Sequence, residues 1–123
     1  MEEDRTRLQT LSEALQKFKD DLQTTIDARQ RLEAQQQENK AVQQEFASLT
    51  EKAGIYKLVG PVLLKQAKTE AVSAVDGRLD YIGKEIIRTE DRIKELQEGA
   101  EKKRMELLQL QQKIQMAQDQ GSG

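Results

Sequence analysis

The sequence predicts a mainly α fold: a long antiparallel two-helix coiled coil whose helices are joined by a single β-hairpin. Three observations lead there. Leu and Ile recur at alternating steps of three and four through most of the second half, the spacing that pairs helices side by side. Two polar stretches of nearly equal length flank a short apolar island, Ile55 to Gln66. That island contains Gly60-Pro61, and proline lacks the amide donor and clashes with the preceding helical turn. Composition agrees. Apolar residues make up 36%, aromatics 3% and charged residues 34%, too little to fill a globular core but enough for a seam of about two apolar residues in seven. Disorder is the other outcome for so polar a chain, and the periodicity argues against it.

The first helix is expected over residues 1–52. Glu2, Glu3 and Asp4 suit the positive end of a helix dipole. The seam opens well with Leu8, Leu11, Leu15, Phe18 and Leu22. It then decays through Thr25, Ile26, Arg29 and Leu32 to Gln36 and Asn39, and resumes as Val42, Phe46, Leu49 and Ala53. The step from Asn39 to Val42 repeats a spacing of three, a slip that locally changes supercoiling. Gln35-Gln36-Gln37 marks either a bent zone or a polar seam in a helix that continues straight.

A hairpin linker is expected over 53–68. β-branched and aromatic residues favour extended strands, and glycine supplies the positive φ of a tight turn while proline tolerates the second position. With Gly60 and Pro61 at the turn, the cross-strand pairs are Val59/Val62, Leu58/Leu63, Lys57/Leu64, Tyr56/Lys65 and Ile55/Gln66. One face then carries Ile55, Val59, Val62 and Leu64, the other Tyr56, Leu58 and Leu63. Apolar groups on both faces need cover on both, the two edges invite further strands, and a lone hairpin is marginal in water. An intersubunit sheet or β-barrel built from several hairpins satisfies all three demands. Ile55, Tyr56, Leu58, Val59, Gly60, Pro61, Val62, Leu63 and Leu64 are therefore the candidate oligomerisation residues.

The second helix is expected over 69–120, with Thr69 and Glu70 at its start. Its seam reads Val72, Val75, Leu79, Ile82, Ile86, Thr89, Ile93, Leu96, Ala100, Lys103, Leu107, Leu110, Ile114, Ala117. Gly77, Gly83 and Gly99 fall off the seam and read as tolerated surface variation more readily than as points of flexibility. Gly121-Ser122-Gly123 resembles a linker remnant, and 121–123 is expected to be a disordered tail. At ~1.5 Å per residue, residues 4–52 and 69–118 would form rods of roughly 73 and 75 Å. Matched lengths and a reversal put both termini at one tip, some 70 Å from the hairpin by the same rise.

Several function classes are excluded or disfavoured. Without Cys or His, most zinc sites and the usual nucleophile–base pairs cannot be built. Twenty basic and 22 acidic residues are interspersed, with no basic stripe for nucleic acid. No apolar run approaches the ~18 residues of a membrane span, and acidic residues follow Met1 where a signal peptide would be basic and apolar. A cytosolic location is the expectation. No glycine-rich phosphate loop occurs. Carboxylates fall at ordinary helical spacing, as in Glu85/Thr89 and Glu98/Lys102, and nothing converges on a pocket. No catalysis, cofactor or metal is expected.

The string Tyr56-Lys57-Leu58-Val59-Gly60-Pro61-Val62-Leu63-Leu64-Lys65-Gln66, followed by Arg78-Leu79-Asp80-Tyr81-Ile82, resembles the prefoldins, most closely their eukaryotic β-class. The helix–hairpin–helix plan covers essentially the whole chain, and the hairpin string is its specific part. The weak seam from Thr25 to Asn39 is the clearest departure. The resemblance implies a heterohexamer with two α-class and three other β-class subunits, held by barrels of hairpins from which six coiled coils hang. It implies a co-chaperone that holds unfolded actin and tubulin chains without ATP and delivers them to the cytosolic group II chaperonin. Clients would then meet the helix tips, where terminal turns fray and seam residues become reachable. The candidates are Leu8, Leu11, Leu15, Leu107, Leu110, Ile114 and Met116, together with Met105 and Leu108, which fall outside the seam and so are better placed for exposed contacts. A seam residue more often simply packs on its partner helix. The alternative function is a structural coiled-coil adaptor that uses the helices as a spacer.

Overall fold

The computed structural model describes residues 2–49, 55–59 and 62–121. The element order is α1 (Glu2–Ser48), β1 (Ile55–Val59), β2 (Val62–Gln66) and α2 (Lys68–Gly121). Packing divides the chain into two units. One comprises residues 1–28 and 89–123, and the other residues 29–88.

In the first unit, the early turns of α1 pack against the late turns of α2. Asp4 Oδ1 lies 3.7 Å from Lys113 Nζ, and further along α1 Phe18 lies against Gly99. Rising numbers on one helix meet falling numbers on the other, so the pair is antiparallel. Leu11, Leu96 and Leu110 are its buried side chains, Leu96 most completely at 1% exposure.

The second unit repeats this arrangement. Gln43 Nε2 donates to Asp76 Oδ1 at 2.9 Å, and Lys68 Nζ donates to the Leu49 carbonyl at 2.7 Å. Ala71, Val75, Ile82 and Ile86 form its core. β1 and β2 pair antiparallel, with Val59 opposite Val62, Leu58 opposite Leu63, Lys57 opposite Leu64, Tyr56 opposite Lys65 and Ile55 opposite Gln66. Gly60, Pro61 and Ala53 lie outside the described residues.

The seams follow the heptads closely. On α2 every seam position from Val72 to Ile114 is buried or half-buried, and only Ala117 is exposed. On α1 the polar stretch keeps the same spacing: Thr25, Arg29, Leu32, Gln36 and Asn39 are all half-buried. The helix runs unbroken through Gln35-Gln36-Gln37, and α1 itself satisfies three of the polar side chains in the stretch from Thr25 to Asn39. The Thr25 hydroxyl donates to the Asp21 carbonyl at 2.7 Å, Arg29 pairs with Glu33 at 3.2 Å, and Asn39 Nδ2 donates to the Gln35 carbonyl at 2.8 Å.

Four expectations need correction. The regular helix of α1 ends at Ser48, not at 52. Its close is local: the Leu49 amide donates to Phe46 O at 3.2 Å and Ser48 Oγ to Glu45 O at 2.8 Å. With no basic residue in its own last turn, α1 takes a cation from Lys68 to satisfy the Leu49 carbonyl, a recognised way to finish a helix. Second, α2 starts at Lys68, and the Ala71 amide donates to the Ala67 carbonyl at 3.0 Å. Thr69 therefore sits inside the first turn and does not cap it. Third, Gly121 is helical, so it belongs to α2 and not to a tail. Fourth, Gly99 is not surface variation. A Cβ built there would lie 2.5 Å from Phe18 Cε1 and 2.7 Å from Cζ. The missing side chain is what admits the ring.

Candidate functional site

No chemistry-bearing cluster occurs among the described residues. None of their acids group in the threes that a metal requires, no described side chain leaves a buried polar atom unpaired, and no described helix is long and apolar enough to cross a membrane. The site must be sought in apolar surface and in strand edges.

The oligomerisation candidates fall on the strand pair. Ile55, Tyr56, Leu58 and Val59 belong to β1, and Val62, Leu63 and Leu64 to β2. Among the described residues two strands form this sheet, so each has one edge without a partner strand among them.

The tip candidates all belong to the first unit, but they divide by burial. Leu11 and Leu110 are buried at 6% and 4% exposure, held by the opposing helix. Leu8, Leu15, Leu107 and Ile114 are half-buried. Met105, Leu108 and Met116 are exposed, Met116 most of all at 63%. At helical spacing, Met105, Leu108, Gln112 and Met116 share one face of α2, roughly opposite the seam. This stripe is accessible with the helices fully paired. Met116 therefore belongs with Met105 and Leu108 and not with the residues that fraying would release. Beside the stripe, Arg104 donates to both Glu101 carboxylate oxygens, at 2.6 and 3.0 Å. That bond holds the Glu101 carboxyl below its ordinary value and raises Arg104.

Two further exposed apolar residues, Tyr81 and Ile87, were not singled out as site residues from the sequence. Both fall off the heptad positions, which was the available signal. Tyr81 borders a groove in the second unit that also includes Gln35, Asn39, Gly77, Arg78 and Ile82.

Paired helices, a two-stranded sheet and an exposed Met/Leu stripe define a helical scaffold that acts through its surfaces. The family model described as "Prefoldin subunit" matches residues 9–119, and the chain belongs to that family, which makes it a co-chaperone subunit. Among its relatives are prefoldin subunit 6 of Bos taurus and of Homo sapiens, each 44% identical over 112 residues, covering 91% of this chain and 87% of the relative. Prefoldin subunit 6 of Saccharomyces cerevisiae is 47% identical over 95 residues, covering 77% and 83%. The crystal structure of the prefoldin beta subunit from Thermococcus strain KS-1 superposes with a TM-score of 0.76 at 23% identity, covering 82% of this chain and 89% of that one.

Proposed function

We propose that the chain is a β-class subunit of a cytoplasmic hexameric prefoldin, an ATP-independent holdase that binds unfolded actin and tubulin and passes them to the group II chaperonin. In this reading β1 and β2 join the hairpins of two α-class and three other β-class subunits in a shared barrel. Clients meet the first unit, on Met105, Leu108 and Met116, while Leu8, Leu11, Leu15, Leu110 and Ile114 become available as the terminal turns fray.

The observation that supports it most is the exposed stripe. Flexible thioether and leucine side chains adapt to varied apolar surfaces. One such stripe binds weakly, but several on one scaffold act together through effective concentration. That combination suits clients with no common sequence.

The test is a client-suppression assay. The reconstituted hexamer should keep denatured actin from aggregating at stoichiometric amounts without nucleotide. Replacing Met105, Leu108 and Met116 together by Ser should raise the amount required about tenfold or more, at unchanged helical circular dichroism, because each exposed apolar side chain contributes of order 1 kcal/mol when covered. A hexamer that forms but never suppresses aggregation would leave a structural adaptor as the better reading.

A further inference from the structure

Three places in the molecule remain unused by the holdase reading: the Asp4–Lys113 pair, the mouth beside Lys68 and Thr69, and the groove beside Tyr81. The groove carries the argument furthest. It measures about 560 Å³ and lies wholly within the second unit, between Gln35 and Asn39 of α1 and Gly77, Arg78, Tyr81 and Ile82 of α2.

Its parts fit one kind of occupant. Ile82 is buried and supplies an apolar floor. Gly77 has no atom within 4 Å of where a Cβ would sit, so the notch is open. This is the reverse of Gly99, whose notch Phe18 fills. A mid-helix glycine costs about 0.5–1 kcal/mol relative to Ala, and helix–helix packing does not account for it at position 77. Tyr81 is 64% exposed in a chain with only two Tyr, two Phe and no Trp. Exposed tyrosine with an apolar body and a polar tip is characteristic of binding surfaces.

Charge and hydrogen-bonding capacity narrow the choice. Among the described residues Arg78 is the only charged one lining the groove. It is exposed and has no ion-pair partner among the described residues, whereas nearby Lys84, Arg88 and Arg92 are each paired. The neighbouring acids are engaged: Asp76 accepts from Gln43 and Asp80 pairs with Lys84 at 3.0 Å. Asn39 uses its Nδ2 on the Gln35 carbonyl, which leaves its Oδ1 and the Gln35 side-chain amide for a ligand. Side-chain amides offer both donor and acceptor, the complement of an extended peptide backbone.

We propose that this groove docks an extended acidic peptide segment of a partner protein. One apolar side chain of the segment sits over Gly77 and Ile82 against the Tyr81 ring. A neighbouring carboxylate pairs with the Arg78 guanidinium, whose planar fork suits two-point binding. The Gln35 and Asn39 amides bond the intervening backbone. This surface is separate from the client stripe and does not depend on the holdase reading.

The test uses the full chain within its assembled hexamer and a fluorescein-labelled peptide with one central phenylalanine between pairs of glutamates. Its anisotropy should rise to saturation. Arg78→Glu and Tyr81→Ala should each weaken binding about tenfold or more, with native mass and helical circular dichroism unchanged, since both side chains are exposed. A counterpart peptide with lysines for glutamates should not saturate. The triple Ser replacement at Met105, Leu108 and Met116 should leave the probe's affinity unaltered while weakening actin suppression. The proposal is overturned if the acidic probe does not bind, if the lysine probe binds equally well, if Arg78→Glu changes nothing, or if the triple replacement abolishes probe binding and so moves the site to the client surface.

Discussion

Three glycines in α2 have the same helical cost and different surroundings. Gly77 and Gly83 face open space, whereas Gly99 faces the Phe18 ring. Ala at position 83 should therefore stabilise the fold by about 0.5–1 kcal/mol through helix propensity alone. Ala at 99 gains the same propensity but forces a half-buried ring to shift by a few tenths of an ångström or more. Overpacking of this kind costs ~1–3 kcal/mol, so Gly99→Ala should be net destabilising by about 1 kcal/mol. Urea denaturation of the two variants should move the midpoint in opposite directions. In a Phe18→Ala background the Gly99→Ala penalty should vanish and become a gain; persistence of the penalty there would show that Phe18 is not its cause. Nothing in the one-dimensional pattern separated Gly99 from the other two. Its role depends on which α1 side chain comes opposite, and that is set by the register of the helix pair.

Along each helix, the sequence displayed which positions face the partner more clearly than where the helix ends. Seam spacing is a repeated signal, and even Gln36 and Asn39 keep their half-buried places, Asn39 with a hydrogen bond to the Gln35 carbonyl that offsets its polarity. Ends are single events. The α1 terminus uses a lysine 19 residues away on the other helix, which no local rule reveals. The late turns of α2 offer a pH test. The Arg104 hydrogen bond depresses the Glu101 pKa, so the pair's contribution is present above the ordinary carboxylate range and is lost as pH falls through the lowered folded value. Both groups are exposed, and salt screens them. Carbon-detected NMR titration should find the Glu101 midpoint below that of an ordinary glutamate, returning to its ordinary value in Arg104→Gln. An equal midpoint in both proteins would remove Arg104 as the cause.

At the scale of the whole molecule, the helices and the strand pair have different debts to partners. Each helix unit buries its own seam, with Leu96 and Leu110 in one and Val75, Ile82 and Ile86 in the other. The strand pair has five residues per strand and no third strand among the described residues. A two-stranded sheet is marginal alone. The register followed from the sequence: the pairing of Val59 with Val62 through Ile55 with Gln66 is the one expected from the spacing of the two strands; what the strand pair packs against did not, because a heptad or strand pattern carries no signal for a partner chain. Leu58 separates the two debts. It stands opposite Leu63, and a carboxylate there would have to be desolvated in any shared barrel, at a cost of several kcal/mol. Leu58→Asp should therefore abolish assembly with the other subunits, seen as loss of the hexamer mass in native mass spectrometry. Helical circular dichroism should stay near the parent value, since α1 and α2 keep their own cores. A hexamer of unchanged mass would place the assembly joint elsewhere, and a parallel collapse of the helical signal would mean that the helices depend on the barrel for their own stability.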